Sequence, residues 1–312
     1  MNLHKLKVID FHAHFPIRWR RDWRTRLVEI YGERKAEKII ENRAMYRVDW
    51  RKAWGFAPPE EETRSDEEQA RRWATDIDQK GVEKVNFVMG GGNDRLANIV
   101  SLFPEKFTGF AHHDIRGEQA PDEVERAVKK LGLKGFKLIA SSQEHPIEDK
   151  KLYPVWDKIS ELKIPVVIHF GVLGGGGGPA RNLHNMNPLS LWPIASDYPE
   201  IEFIVPHFGA CYIRELLELC WNAPNVSVDS SGSNQWMRWM PYQLTIKDLF
   251  RKYIETIGAD RIIFGTDSSY FPRGFSEAYL REQVKACYEI GLTKTQMEKI
   301  FYGNSARLLK IK

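Results

Sequence analysis

The chain has 312 residues and a formal net charge of +4, with basic and acidic residues well mixed. That length suits a single (β/α)8 barrel with insertions and can bury a large core. The mild, interspersed charge excludes the footprint of a nucleic-acid binder, and no apolar run approaches the roughly 20 residues needed to cross a bilayer.

Eight apolar stretches read as parallel strands, at residues 7–12, 84–89, 108–112, 135–139, 165–169, 202–207, 226–229 and 261–266. Most are rich in Val, Ile and Phe with little alternation, as expected of strands covered on both faces. Segments with helical spacing fill the gaps, among them 122–131, 152–162, 213–220, 246–257 and 277–290. The alternation predicts an α/β fold with a parallel sheet. Eight repeats favour a closed barrel over a doubly wound sheet. No Gly-x-Gly-x-x-Gly follows the first strand to cradle a dinucleotide.

One connection, 15–81, is far longer than a βα unit needs. It reads as a helical lid or insertion, with a helix at 66–79, inside a single domain spanning 1–312. Its start, 18–26, is crowded with Arg and Trp. As a lid, it would place Arg18 to hold a substrate carboxylate through two parallel hydrogen bonds; the other reading is a solvated helix or an oligomer contact. The five glycines at 174–178 form either a mobile flap, a backbone-lined cradle or a plain flexible connection. Trp236 and Trp239 read as pocket wall or interface. Cys211, Cys220 and Cys287 lack Cys-x-x-Cys spacing, so free thiols in a reducing compartment are expected. The chain runs from Met1 straight into its first strand, and the expectation is a cytoplasmic protein without a secretory leader.

The chemistry gathers at the strand ends. His12 and His14 stand two apart at the end of the first strand and share a face. The fifth strand ends in His169, the sixth in His207, and the eighth runs into Asp267. A buried histidine or aspartate without a partner is costly. Five such residues at one barrel mouth therefore point to a metal, and imidazoles with a carboxylate suit zinc, manganese or iron(II). Asp229, ending the seventh strand, is placed to buttress a histidine from behind. Of His112 and His113, at most one can line the mouth. His4 and His145 read as surface, and His184, after the glycine run, as ordinary surface or a substrate contact. Tyr270 and Arg273, just beyond Asp267, read as substrate contacts, against a packed aromatic and a surface cation.

An ordered set of motifs carries a resemblance. It comprises Asp10-Phe11-His12-Ala13-His14, Gly135-Phe136-Lys137-Leu138, Ile168-His169-Phe170-Gly171, Pro206-His207-Phe208-Gly209, Asn225-Val226-Ser227-Val228-Asp229-Ser230-Ser231, Ile263-Phe264-Gly265-Thr266-Asp267 and Gly303-Asn304-Ser305-Ala306-Arg307-Leu308-Leu309. Taken together they resemble the amidohydrolase superfamily in its amidohydrolase-2 branch, which includes aminocarboxymuconate-semialdehyde decarboxylase-like proteins. The 15–81 insertion is the least alike. The resemblance implies a distorted (β/α)8 TIM barrel with one divalent metal, zinc foremost and Mn2+ or Fe2+ as alternatives. It implies His12, His14, His169 and Asp267 as ligands, with His207 and Asp267 as catalytic groups. Lys137 lies where some superfamily members carry a carboxylated lysine bridging two metals. Here it reads as a contact to a substrate anion or a neighbouring carboxylate, or as a snorkelling structural lysine. The implied function is hydrolysis of a small carboxylate-bearing substrate through a metal-activated water. The alternative is non-oxidative decarboxylation of an aromatic or muconate-like acid at the same site, and a silent scaffold is a third reading. A small-molecule substrate and a homo-oligomer are expected, without nucleic acid or membrane as partners.

Overall fold

The computed structural model describes residues 6–17, 19–54, 56–62, 64–171 and 182–311. Eight strands run parallel around a barrel: β1 (Ile9–His14), β2 (Lys84–Met89), β3 (Phe107–Gly109), β4 (Phe136–Ile139), β5 (Val166–His169), β6 (Phe203–Val205), β7 (Val226–Asp229) and β8 (Ile262–Ile263). They pair as two arcs, β1-β2-β3 and β4-β5-β6-β7-β8. Two single parallel bridges close the ring, Ala13 with Ser268 and Ala111 with Phe136. Backbone bonds reinforce both seams: His14 N–H donates to Ser268 O at 2.7 Å, and Lys137 N–H to Ala111 O at 2.7 Å. The expected TIM barrel is thus the fold observed.

The helices are α1 (Trp19–Tyr31), α2 (Glu33–Trp54), α3 (Asp66–Gln79), α4 (Asn93–Leu102), α5 (Ala120–Lys129), α6 (Tyr153–Leu162), α7 (Trp192–Asp197), α8 (Ile213–Asn222), α9 (Ile246–Ile257), α10 (Glu277–Glu289), α11 (Lys294–Glu298) and α12 (Asn304–Leu308). Local chemistry explains where several begin. Ser65 and Glu68 form a reciprocal capping box on α3, and Thr245 and Asp248 form another on α9. Both helices start and stop where their spacing predicts. α5 begins two residues earlier than expected, with Pro121 in its first turn, where a missing N–H costs nothing. The insertion after β1 is helical, as expected, and holds α1, α2 and α3.

The predicted strands were too long by more than one residue at three places. β3 covers 107–109, not 108–112, and β8 only 262–263, not 261–266. β6 stops at Val205 because Pro206 has no N–H for the ladder and His207 turns left-handed. Beyond β8, Phe264 N–H leaves the sheet and donates to Ile300 O at 3.0 Å. β1 instead extends past the predicted 7–12 to His14, with register irregularities on either side of Ala13.

The core has two parts. Outward-facing strand residues such as Phe136, Leu138, Ile168, Phe203 and Val228 pack against helix residues including Trp73, Leu96, Trp156, Leu216 and Phe250. A smaller cluster joins Ile9, Phe11, Val88, Phe110, Val167, Ile204 and Ile263 with Leu308 and Leu309 of the last helix. Trp73 and Trp156 are fully buried, each stabilising the fold by about 2–3 kcal/mol on an area basis. Asn304 donates to both Ala259 O and Ile262 O, tying the C-terminal helix to the start of β8. Among the described residues, no helix is long and apolar enough to cross a membrane.

Candidate active site

β1 delivers the first ligand-type side chain. His12 is 1% exposed, and its Nδ1 lies 2.7 Å from Oδ2 of fully buried Asp229 at the end of β7. The other carboxylate oxygen, Oδ1, accepts from His207 N–H at 3.2 Å, Ser231 N–H at 2.9 Å and the Ser231 hydroxyl at 2.5 Å. Burial alone would raise the Asp229 carboxyl. The His12 imidazole and these bonds outweigh burial and hold it well below the usual range. Asp229 is therefore an acceptor, His12 Nδ1 carries the proton, and His12 Nε2 keeps its lone pair. Burial pushes His12 down to about 4 against the pull of Asp229, so it stays neutral.

His14 and Asp267 stand beside it. Asp267 Oδ1 lies 3.0 Å from His14 Nε2 and 3.9 Å from His12 Nε2. One ligand atom from each of His12, His14 and Asp267 falls within 4.8 Å of the other two. Asp267 adopts φ +54°, a left-handed conformation that costs an aspartate energy, and its N–H is held by His12 O at 2.7 Å. Glycine is required at position 265: a Cβ there would lie 2.8 Å from His12 Cβ and 3.0 Å from Ser231 Cβ. Burial would raise the Asp267 carboxyl, but the His14 bond and the surrounding imidazoles bring it well below the usual range. Its side chain keeps 39% of its surface accessible, so a ligand can reach it.

His169 and His207 complete the ring of imidazoles. The His207 ring centroid lies 5.2 Å from that of His12 and 5.0 Å from that of His169. His169 is 8% exposed, and its Nε2 is buried with no hydrogen-bond partner among the described residues. Burial, with the neighbouring His207 and Lys137, depresses its basicity strongly. It stands outside the close triplet but in contact with its neighbours. His207 sits on a left-handed turn, φ +58°, not on the strand end itself. Its Nδ1 meets the Ser231 hydroxyl at 2.9 Å and Ser231 O at 3.0 Å. The hydroxyl already donates to Asp229, so both Ser231 oxygens accept, which fixes the proton on Nδ1 and leaves Nε2 for chemistry. Ser231 is the residue that sequence reasoning missed; its position two after Asp229, where a hydroxyl folds back on a carboxylate, was the available signal.

Lys137 is 2% exposed on β4, and its Nζ makes no hydrogen bond or ion pair to a described residue. Burial lowers it to about 8, against the attraction of Asp229 and Asp267. His112 Nδ1 contacts Lys137 O at 2.9 Å, whereas His113 packs edge-on against Phe136 and contacts Ala120 O. One of the pair therefore faces each way, as expected. His184 pairs with Glu148 at the surface. Tyr270 and Arg273 lie in the loop beyond Asp267, with Arg273 donating to Asp267 O at 3.2 Å. Arg18 and the glycines at 174–178 lie outside the described residues.

The amidohydrolase family model, Amidohydro_2, matches residues 9–311. The chain belongs to this family. Among curated relatives, a 2-keto-4-carboxy-3-hexenedioate hydratase from Sphingobium sp. is 30% identical over 138 residues, 38% of this chain and 39% of the relative. A 2-amino-3-carboxymuconate-6-semialdehyde decarboxylase from Dictyostelium discoideum is 20% identical over 237 residues, 70% of this chain and 65% of the relative. The chain thus spans less than two thirds of either relative. Among solved structures, 5-carboxyvanillate decarboxylase from Novosphingobium aromaticivorans, complexed with manganese and 4-hydroxy-3-methoxy-5-nitrobenzoic acid, shares the fold. It has a TM-score of 0.65 at 16% identity and covers 100% of this chain and 98% of that one.

The residues of this amidohydrolase fit a divalent ion. The Nε2 atom of His12, free to coordinate, converges with the His14 imidazole and one carboxylate. An orphaned His169 Nε2 stands next to them. The carboxylate behind His12 is the support that metal-bound histidines usually have. Nitrogen and carboxylate donors of this kind suit zinc, manganese or iron(II) alike.

Proposed function

We propose that this amidohydrolase is a metal-dependent carboxy-lyase acting on an aromatic or muconate-like acid. The observation that carries the reading is the likeness to a carboxymuconate-semialdehyde decarboxylase over 70% of the chain, joined to a site whose donors fit a metal. The fold of a manganese-bearing carboxyvanillate decarboxylase agrees with it.

In this reading His12, His14, His169 and Asp267 hold one divalent ion. Such an ion would be held by these residues and would supply Lewis acidity to an acid that chelates it. Lys137 neutralises the carboxylate from below, since a buried ammonium without a counterion is costly and an anionic ligand would satisfy it. The bond between the ring or chain carbon and its carboxylate breaks, the electron pair stays on carbon, and CO2 leaves. His207, as imidazolium, delivers the proton from Nε2 to that carbon and recovers one from water; Ser231 keeps the ring aimed through Nδ1.

The hydratase relative favours a second reading, in which the same site adds water to its substrate, by hydration or hydrolysis. A panel of hydroxybenzoic and muconate-like acids separates the two. Carboxy-lyase action releases CO2 in step with substrate loss. A product that keeps every carboxyl carbon and gains the mass of water overturns it.

A further inference from the structure

We infer that Arg273 and Tyr270 form an anchor for a second carboxylate on the substrate, distinct from the one bound at the imidazole cluster. The inference rests on the reading that a carboxylate-bearing acid binds at that cluster. The Arg273 guanidinium is caged by two rings, with its carbon 4.8 Å from the Tyr270 centroid and 5.1 Å from that of Phe56. Glu60 N–H donates to Phe271 O at 3.1 Å, so the end of the insertion is fastened against this loop and holds the Phe56 side of the cage.

Among the described residues, arginines pair with carboxylates on the outside, as Arg72 does with Glu60 and Arg126 with Asp94 and Glu123. Arg273 differs. Among the described residues, no carboxylate stands within ion-pair distance of it. One terminal nitrogen donates to Asp267 O at 3.2 Å and to the Ser269 hydroxyl at 3.4 Å, and the guanidinium also faces the Tyr279 hydroxyl; all three are neutral partners. Its Nε is buried without an acceptor, and the Tyr270 hydroxyl oxygen is likewise buried without a partner. A guanidinium offers five N–H donors, and a phenol offers one more. Unused donors of both kinds on one loop, with the guanidinium against the phenol ring, suit an oxyanion, and a carboxylate takes guanidinium donors in pairs.

Position sets which carboxylate. The guanidinium touches the carbonyl of Asp267, whose side chain belongs to the triplet, so the anchor is adjacent to the cluster and not part of it. A substrate reaching both places carries two acidic groups. A monocarboxylic acid would leave Arg273 and Tyr270 unanswered.

The test is direct binding to the metal-loaded protein by calorimetry, with benzoate and isophthalate as probes, in wild type, Arg273→Gln and Tyr270→Phe. Isophthalate should bind wild type about tenfold or more tightly than benzoate, the scale of one added charge-assisted pair. Arg273→Gln should erase that preference and leave benzoate affinity within about twofold. Tyr270→Phe, which keeps the ring and the packing, should lower the preference in part and serves if the arginine variant does not fold. Equal affinity of wild type for both probes overturns the inference. So does an Arg273→Gln protein that loses both probes by the same factor, the mark of a merely structural arginine. Failure of the carboxy-lyase reading looks different: no acid yields CO2, while the isophthalate preference stands.

Discussion

Asp229 Oδ2 lies 2.7 Å from His12 Nδ1, and neither side chain reaches solvent. This contact decides which imidazole nitrogen faces the cluster. Asp229→Asn replaces the ionised acceptor by an amide that can also donate, so the His12 tautomer is no longer fixed. Metal affinity should fall about 10- to 100-fold. Competition against a chromogenic chelator measures it; unchanged affinity would mean His12 is oriented by something else.

His12→Ala and Asp267→Ala each remove one member of the triplet, and each should abolish both stoichiometric metal and turnover. Chelation of the wild type should do the same, reversibly. Elemental analysis alongside a CO2 assay reads both, and a variant that retains full activity would sink the assigned ligand set.

Lys137 should behave as a binding group with a stability cost. Lys137→Met swaps an unpartnered buried ammonium for an apolar chain of similar length. Because a buried charge without a counterion is costly, stability should be unchanged or higher. KM should rise at least about tenfold, because the counter-charge for the substrate is gone. A lower Tm together with an unchanged KM would place Lys137 among the structural residues instead.

Gly265→Ala tests the seam between β8 and β1. The new methyl would stand 2.8 Å from His12 Cβ, so backbone must shift. Stability should drop by about 1–3 kcal/mol, as for other overpacked sites. Urea unfolding checks it, and metal affinity should fall in parallel because His12 moves.

His112 gives an acid limb to stability. Burial lowers it from 6.5 to about 4, helped by the charge of Lys137 and opposed by its bond to Lys137 O. The unfolded chain therefore takes up this proton first. Stability from a neutral His112 is fully present above pH 6.5 and drains as pH falls towards 4. Urea midpoints of chelator-treated wild type should drop more between pH 7 and pH 4.5 than those of His112→Gln. Parallel losses would assign the limb to other groups.

Much of this was legible in the sequence. A histidine closing a run of Val and Ile has few places to go but a barrel rim, which made His12, His14 and His169 readable. Asp229 could be foreseen as a support from its place at the end of β7. Helical spacing placed 66–79 and 246–257 to the residue, and the structure shows capping boxes at Ser65 and Thr245 that set their starts. Other features depend on long-range contacts. His207 leaves its strand because Pro206 breaks the ladder, and its turn is held by Asp229, 22 residues away. Ser231 acquires its role only when β6 and β7 lie side by side. Nothing in the one-dimensional pattern says that Phe56, far back in the insertion, stacks on Arg273.

The two seams have a further consequence. His12 and His14 ride on the arc of three strands, whereas His169, His207, Asp229 and Asp267 belong to the arc of five. An ion gripped by both would act as a rivet between half-shells whose backbones meet at two single bridges and a few further hydrogen bonds. Emptying the centre should therefore loosen the whole cylinder along Ala13–Ser268 before any helix melts. Amide exchange at those edges would report the parting.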